Sequence, residues 1–207
     1  MGLLKGLFCD WRIHMGIEFE LKFSAQPEQL EQVAAAYPVA YRTINMETTY
    51  FDTPHFALSD RRVTLRRRME NGEPVCTVKT PVSGYGRGEW ECRCGDIQTG
   101  ILELCKLGAP RELMVLTAEG VVPVCGAKFV RRAGIVTFMG AELELALDRG
   151  ILSGGGKEID LCEVEVELKS GDTDAAIAFG TALAERFGLK PQKKSKFRRA
   201  LALARGE

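Results

Sequence analysis

Carboxylates and lysines alternate with apolar residues in two segments near opposite ends of the chain. Residues 18–22 read EFELK, and residues 163–169 read EVEVELK. Successive side chains of a β-strand point to opposite faces, so each segment places its charged groups on one face and its apolar groups on the other. Glutamates that share a face repel one another. A divalent metal ion with oxygen ligands is the simplest cation that would hold them together.

The same alternation recurs along the chain and predicts a mainly β protein of the α+β class. Apolar residues at helical spacing also predict helices over residues 26–37, 99–107, 111–118 and 172–187. The predicted strands lie near residues 18–22, 48–51, 63–68, 75–79, 87–94, 129–137, 142–148 and 163–169.

Acidic and basic faces fall on different predicted strands, and a closed barrel would gather them into one lumen. The apolar faces would then point outward beneath the helices. A charged lumen is expected only where the ligand is itself highly charged. Arginine binds phosphate oxygens through paired hydrogen bonds, and lysine acts as a point charge. The sequence therefore predicts an eight-stranded antiparallel β-barrel tunnel with a polar, charged lumen, flanked by helices.

Composition argues against several other classes of protein. The 207 residues carry a formal net charge of zero, so a nucleic-acid partner is not expected. No apolar run reaches the roughly 18 residues that a membrane span requires, so no membrane partner is expected either. The seven cysteines suit no disulfide framework and predict reduced thiols in a cytoplasmic protein. Cys92 and Cys94 form a C-x-C pair whose alternation with Trp90 favours packing in the core over metal binding.

The sequence also gives no support for nucleotide binding through a P-loop or for a mechanism based on histidine. The P-loop pattern G-x-x-x-x-G-K-[ST] does not occur. The two histidines, His14 and His55, lie outside the predicted lumenal strands, so a histidine-based mechanism is not expected.

Residues 1–14 stand apart from the strand pattern. They are too short for a signal peptide with a cleavage site, and Met15 follows them directly. Two interpretations remain open: an extension upstream of a natural start at Met15, or a short tail that packs on the surface. We therefore divide the chain into an N-terminal extension, 1–14, and a single domain, 15–204.

Eight short motifs follow one another along the chain. They are E-x-E-x-K at 18–22, Y-F-D-T-P at 50–54, L-R-x-R at 65–68, T-x-K at 77–79, R-x-E-x-E at 87–91, E-x-A-L-D-x-G at 144–150, E-x-E-x-E-L-K at 163–169 and S-K-x-x-R at 195–199. Taken together and in this order, they resemble the motifs of the CYTH domain family, whose members are also called triphosphate tunnel metalloenzymes. The resemblance covers roughly residues 16–200, and the layout is most similar to the inorganic triphosphatase branch.

This resemblance implies a tunnel that binds a small-molecule triphosphate together with Mg or Mn, through one or two metal ions. The implied catalytic residues are Glu20, Lys22 and Glu165. The implied phosphate ligands are Lys22, Arg66, Arg68, Lys79, Arg131 and Lys196. The implied metal ligands are Glu18, Glu20, Glu163 and Glu165. Four further carboxylates either orient the basic side chains or complete a metal shell, namely Glu89, Glu91, Glu144 and Asp148.

The function expected on this basis is metal-dependent hydrolysis of inorganic triphosphate to pyrophosphate and phosphate. A class IV-type adenylyl cyclase and a thiamine triphosphatase of the same fold are alternatives. A non-catalytic polyphosphate- or nucleotide-binding module is a third, although phosphate binding alone needs the cations far more than the carboxylates. Replacement of Glu20 or Glu165 by alanine is expected to abolish turnover and to leave the fold intact.

Overall fold

The protein is described by a computed structural model that covers residues 16–81 and 87–207, with side chains from residue 19 onward. The described residues form ten strands and six helices. The strands are β1 Gly16–Glu18, β2 Glu20–Ser24, β3 Arg42–Asp52, β4 Thr64–Glu70, β5 Glu73–Pro81, β6 Arg87–Arg93, β7 Val122–Phe138, β8 Ala141–Gly154, β9 Lys157–Ser170 and β10 Lys190–Pro191. The helices are α1 Pro27–Ala36, α2 Ala57–Asp60, α3 Ile97–Lys106, α4 Glu112–Leu116, α5 Thr173–Phe187 and α6 Lys196–Arg205.

All ten strands belong to one antiparallel sheet, in the order β1-β6-β5-β4-β3-β7-β8-β9-β2-β10. Strand β1 pairs with β6 and strand β2 pairs with β9, and only Phe19 separates β1 from β2. The consecutive strands β1 and β2 therefore pair with strands near opposite ends of the sheet. The two end strands, β1 and β10, do not pair with each other in the described structure. Inward side chains of eight strands surround one cavity. The predicted antiparallel tunnel is thus confirmed, with ten strand segments where the sequence predicts eight.

The outward faces of the strands are apolar and are covered by helices. Helices α1 and α5 pack on β2, β8 and β9, where Leu145, Val166 and Phe179 are buried in one core cluster. Helices α3 and α4 pack on β4, β5 and β6 in a second cluster. Cys92 is buried in this second cluster and Cys94 packs against it, which confirms that the C-x-C pair belongs to the core. The cysteines of the described residues are free thiols.

The four predicted helices correspond to α1, α3, α4 and α5, and local signals explain their ends. Helix α5 begins after Asp172, whose carboxylate accepts a hydrogen bond from the backbone N–H of Asp174 at 2.9 Å. It ends at Gly188, which adopts the left-handed conformation with φ of 65°. Pro27 occupies the first turn of α1. Within the described part of the chain, no helix combines the length and the apolar character that a membrane span requires.

Helix α6 is the main element that the sequence analysis does not predict. Phe197, Ala200 and Leu201 lie on its buried face at helical spacing, but the basic residues around them hide the pattern. The Oγ of Ser195 caps the helix by accepting a hydrogen bond from the backbone N–H of Arg198 at 3.2 Å. The ring of Phe197 lies 5.0 Å from the ring of Tyr50, centroid to centroid, inside the sheet. Helix α6 therefore fills one end of the lumen.

A glycine in β8 allows α6 to approach the sheet. A Cβ atom at Gly154 would lie 2.3 Å from the carbonyl oxygen of Ala200, far inside van der Waals contact. Since the neighbouring group is backbone, a larger residue would have to push the helix away. The close approach fixes the position of α6, and with it the position of Lys196 at the start of the helix.

Candidate active site

The inward side chains of β2 to β9, together with the beginning of α6, line a cavity of ≈ 560 Å³. Among the described lining residues, lysines and arginines outnumber glutamates by eleven to seven. A protein whose net charge is zero thus concentrates positive charge around this cavity. Such a surplus attracts a polyanion.

One side of the cavity, which we call the basic wall, consists of Arg66, Arg68 and Lys79 on β4 and β5. Two glutamates of β6 lie beside these cations. Arg66 lies 3.5 Å from Glu89 and 3.6 Å from Glu91. Lys79 lies 3.2 Å from Glu89, and Arg68 lies 3.7 Å from Glu91. In the structure both glutamates thus pair with basic side chains.

Arg68 pairs with Glu70 and Glu91, yet it keeps a hydrogen-bond donor that no group of the described residues uses. Burial lowers the pKa of Arg68, and the nearby charge of Arg66 lowers it further. The Nε atom of Arg68 is buried and has no hydrogen-bond partner. Two closely spaced cations, one of them with an unused donor, are well suited to bind an anion that bears several oxygens.

Glu91 provides a test of this electrostatic arrangement. Burial alone would raise the pKa of Glu91, but Arg66 and Arg68 outweigh burial and hold the pKa below its ordinary value of 4.5. A carboxylate of this kind stabilises the fold fully above its unfolded-state pKa, and the contribution is lost as the pH falls toward its folded-state pKa. We therefore expect the free energy of unfolding to decrease below about pH 4.5.

The Glu91→Gln variant should show a shallower decrease in this acidic range, by on the order of 1 kcal/mol. Urea unfolding between about pH 7 and pH 3 measures the difference. Glu31→Gln, which removes an exposed carboxylate on the outer surface, is the control and should follow the wild type. Parallel pH curves for the wild type and Glu91→Gln would contradict the assignment.

Three buried carboxylates form a second feature of the site, which we call the buried cluster: Asp148, Glu163 and Glu165. One oxygen from each lies within 4.8 Å of the others. They lie on β8 and β9, where Asp148 is the register partner of Glu163. The Nζ atom of Lys196 lies 2.6–2.8 Å from an oxygen of every member. An ammonium group therefore occupies the centre of the cluster.

Two arginines complete the charge balance of the buried cluster. Arg131 donates to both oxygens of Asp148, at 2.8 and 2.7 Å, and also contacts Glu165. Arg199 contacts Glu163. Three carboxylates are thus matched by three cations, and buried ion pairs require this kind of compensation.

The pKa values follow from these contacts. Burial raises the pKa of Glu163 despite its two basic neighbours. At Glu165 burial also acts to raise the pKa, but Lys196 and Arg131 outweigh it and hold the pKa well below its usual range. Burial alone would lower the pKa of Lys196, whereas Asp148 and Glu165 raise it. Lys196 therefore remains charged at neutral pH.

A separate row of carboxylates, the acidic row, faces the cavity on three adjacent strands: Glu20 on β2, Glu167 on β9 and Glu144 on β8. Glu167 is the register partner of both Glu20 and Glu144, and directly opposed residues have Cβ atoms roughly 5 Å apart. Each member pairs with a basic side chain. The pairs are Lys22–Glu20 at 2.5 Å, Lys169–Glu167 at 2.7 Å and Arg42–Glu144 at 3.3 Å.

Carboxylate oxygens are the ligands that Mg and Mn prefer, so the residues present fit a divalent ion. The buried cluster and the acidic row differ in the solvent exposure of the cations that pair with them. The Lys196 side chain is only 10% exposed. Of the cations that pair with the acidic row, Lys22 is 16% exposed, but Lys169 is 34% and Arg42 is 70% exposed. A partly solvated cation is displaced at a lower cost than an enclosed one. The geometry therefore favours the acidic row over the centre of the buried cluster as the place for a metal ion.

The structure distributes the predicted site residues among these features. All six predicted phosphate ligands line the cavity: Lys22, Arg66, Arg68, Lys79, Arg131 and Lys196. Of the predicted metal ligands, Glu20 belongs to the acidic row, Glu163 and Glu165 belong to the buried cluster, and the side chain of Glu18 lies outside the described residues. Residues 1–14 also lie outside them. The role assigned to each residue stays a prediction.

Sequence reasoning misses several charged residues that line the cavity. Glu167 and Lys169 continue the two-residue period of Glu163 and Glu165, so the alternation alone assigns them to the same face of the strand. Arg42 gave no such signal, because the predicted strand began at residue 48 and β3 begins at Arg42. Three further cations are also missed, namely Arg87, Lys193 and Arg198.

Adjacent arginines of β7 face opposite sides of the sheet. Arg131 points into the cavity. Arg132 lies on the outer face and binds both carboxylate oxygens of Glu31 in α1, at 2.8 and 3.0 Å. Between these two residues, therefore, only Arg131 is available to a ligand in the lumen.

The fold and the site together define the class of protein: an antiparallel β-tunnel whose lumen is lined by charged side chains. The sequence model of the CYTH domain matches residues 16–201. The chain belongs to the CYTH domain family.

Comparisons with individual proteins agree with this family. The inorganic triphosphatase of Haemophilus influenzae is 29% identical over 170 residues, which cover 78% of this chain and 48% of that protein. The chain thus spans about half the length of the curated relative that it matches.

Two solved structures share the fold. One is HpAC1 from Hippeastrum, described as having a dominant triphosphatase activity, with a TM-score of 0.63, 20% identity, and coverage of 93% of this chain and 96% of that one. The other is the PH1819 protein from Pyrococcus horikoshii, with a TM-score of 0.61, 23% identity, and coverage of 91% and 99%.

Proposed function

We propose that the protein hydrolyses a triphosphate in a metal-dependent reaction, and that inorganic triphosphate is the substrate, cleaved to pyrophosphate and phosphate. The observation that carries this proposal is the placement of the basic wall and the acidic row in one cavity. Strands β3 and β7 lie between them in the sheet. A ligand in the lumen therefore meets both the cations of the basic wall and the carboxylates of the acidic row, each set paired with residues of opposite charge.

In this proposal the basic residues divide the work of binding. Arg66, Arg68 and Lys79 hold the phosphate oxygens along the basic wall. Arg131 and Lys196 are fixed from behind by the buried cluster, so they can neutralise charge on the substrate without first becoming ordered. Together these side chains would align the terminal phosphorus for in-line attack.

The carboxylates of the acidic row, assisted by Glu165, would hold the Mg or Mn ion. When bound, such an ion screens the charge of the phosphate oxygens and makes a water molecule more acidic. Lys22 lies next to Glu20, and burial alone would lower its pKa, but the Glu20 carboxylate outweighs burial and raises it. Lys22 therefore stays protonated, and we assign it to the oxygens of the phosphate that is cleaved.

A panel of substrates tests the proposal. We expect kcat/KM for inorganic triphosphate to exceed that for ATP by at least about tenfold, which corresponds to about 1.4 kcal/mol of transition-state discrimination. The cavity offers ample phosphate ligands, and we assign none of its residues to an adenine base. Phosphorus NMR of the products, with Mg or Mn present, measures both the rates and the bond that is cleaved. Excess EDTA is expected to abolish turnover.

Other outcomes of the panel identify the alternatives. Formation of cyclic AMP and pyrophosphate from ATP, with inorganic triphosphate left intact, would establish an adenylyl cyclase. A preference for thiamine triphosphate would establish a thiamine triphosphatase. Tight binding of triphosphate without turnover in either metal would establish a binding module. Each of these results contradicts the proposed substrate.

A further inference from the structure

Two basic side chains beside the acidic row have no role in the mechanism so far. Arg42, at the first position of β3, reaches Glu144 at 3.3 Å. Lys169, near the end of β9, lies 2.7 Å from Glu167 and 3.9 Å from Glu144. Both line the cavity. They are therefore close to the carboxylates and, at the same time, exposed toward the space that a ligand would fill.

These two cations are more exposed to solvent than Lys22 beside the acidic row and than the cations of the buried cluster. The Arg42 side chain is 70% exposed and pairs with Glu144, a kind of contact that contributes little because water competes for both charges. Lys169 is 34% exposed. By contrast, Lys196 contacts three buried carboxylates. Arg42 and Lys169 can therefore leave their partners at a small cost.

We infer that Arg42 and Lys169 exchange partners during binding. In the metal-free protein they neutralise Glu144 and Glu167, and when the acidic row holds a divalent ion they turn to the oxygens of the triphosphate. This inference rests on the proposed function. The physical reason is charge balance, because a row that holds a divalent ion no longer attracts the two cations, whereas a polyanion in the same cavity does.

The exchange couples the two ligands. Arg42 and Lys169 compete with the metal ion for the acidic row and assist the binding of triphosphate. Each ligand thus strengthens the binding of the other, and the coupling is reciprocal by thermodynamic necessity. Removal of either side chain should have effects of opposite sign: tighter binding of the metal alone and weaker binding of the phosphate ligand. A purely structural role would not produce this pair of effects.

The test uses Arg42→Ala and Lys169→Ala, each measured separately. Electron paramagnetic resonance of free Mn²⁺ gives the affinity of the metal in the absence of phosphate. We expect the Kd for Mn²⁺ to fall about two- to fivefold in each variant, the size of an exposed ion pair. Calorimetry with diimidotriphosphate, an analogue that resists hydrolysis, should then give a Kd that rises about tenfold in the Mn²⁺-loaded variants.

Arg132→Ala is the matched control, because it removes an arginine whose ion pair with Glu31 lies on the outer face. Its affinities for both ligands should equal those of the wild type. An unchanged or weaker Mn²⁺ affinity in both test variants overturns the exchange, even if the wild type hydrolyses triphosphate. Failure of the wild type to bind Mn²⁺ overturns the exchange together with the metal dependence of the proposed reaction.

Discussion

Glu20→Gln and Glu167→Gln are each expected to lower kcat/KM for inorganic triphosphate by at least about a hundredfold. The amide keeps the shape of the side chain but removes the negative charge that a divalent ion requires. Both glutamates are partly exposed and pair with a lysine two residues away in sequence. Because such pairs contribute less than about 1 kcal/mol, the fold should remain stable in both variants.

Steady-state kinetics with saturating Mg or Mn, together with thermal unfolding, test this expectation. Glu31→Gln on the outer surface is the control and should match the wild type in both measurements. A variant that unfolds early would report on packing and not on the acidic row. Near-normal turnover by either well-folded variant would remove its glutamate from the site.

Lys196→Ala is expected to produce the largest loss of stability, about 3–5 kcal/mol, as well as a loss of activity. The ammonium group lies within 2.6–2.8 Å of three carboxylates that are buried with it. Without it, Arg131 and Arg199 remain as the contacting cations among the described residues, and two contacting cations face three buried carboxylates. Urea unfolding measures the loss, and Lys194→Ala, which removes an exposed lysine nearby, is the control.

The pH dependence of the Lys196→Ala variant gives an independent check. Loss of the cation raises the folded-state pKa of the buried carboxylates. A carboxylate with a raised folded-state pKa is unfavourable at neutral pH, and the penalty disappears as the pH falls toward its unfolded-state value, about 4.3. The stability deficit relative to the wild type should therefore shrink in acid. A deficit that is constant with pH would attribute the loss to packing of the lysine stem.

The same geometry changes the expectation for Glu165. Sequence reasoning treats Glu165 as one of several repelling carboxylates, so its removal should leave the fold intact. In the structure Glu165 is buried between Lys196 and Arg131. Glu165→Ala is thus expected to lose stability as well as activity, and Glu20→Gln is the cleaner probe of the site.

Much of the tunnel is predictable because a two-residue period is visible in a single strand. The pattern E-x-A-L-D in β8, for example, assigns Asp148 to the lumen and Leu147 to the core without any knowledge of neighbouring strands. The resemblance of the motifs then orders the strands. Local patterns thus account for the fold class and for most cations of the cavity.

The remaining features depend on register and on tertiary packing, which no local pattern contains. Glu20 and Glu167 become partners only when β2 pairs with β9. Lys196 reaches the buried carboxylates only because α6 enters the end of the lumen, and the apolar face of that helix is short and interrupted by charge. Arg42 joins the site because β3 extends beyond its visible alternation.

The pairing of β2 with β9 also has a consequence for how the protein folds. It joins residues near the beginning of the described chain to residues near its end, and β1 joins the same beginning to β6. Closing so long a loop has an entropic cost, and topologies rich in distant contacts fold slowly. Glu20 therefore joins Glu144 and Glu167 in the acidic row only when this long-range pairing has formed. A ligand that binds across this seam recognises only the completed sheet, and by mass action it shifts the folding equilibrium toward that sheet.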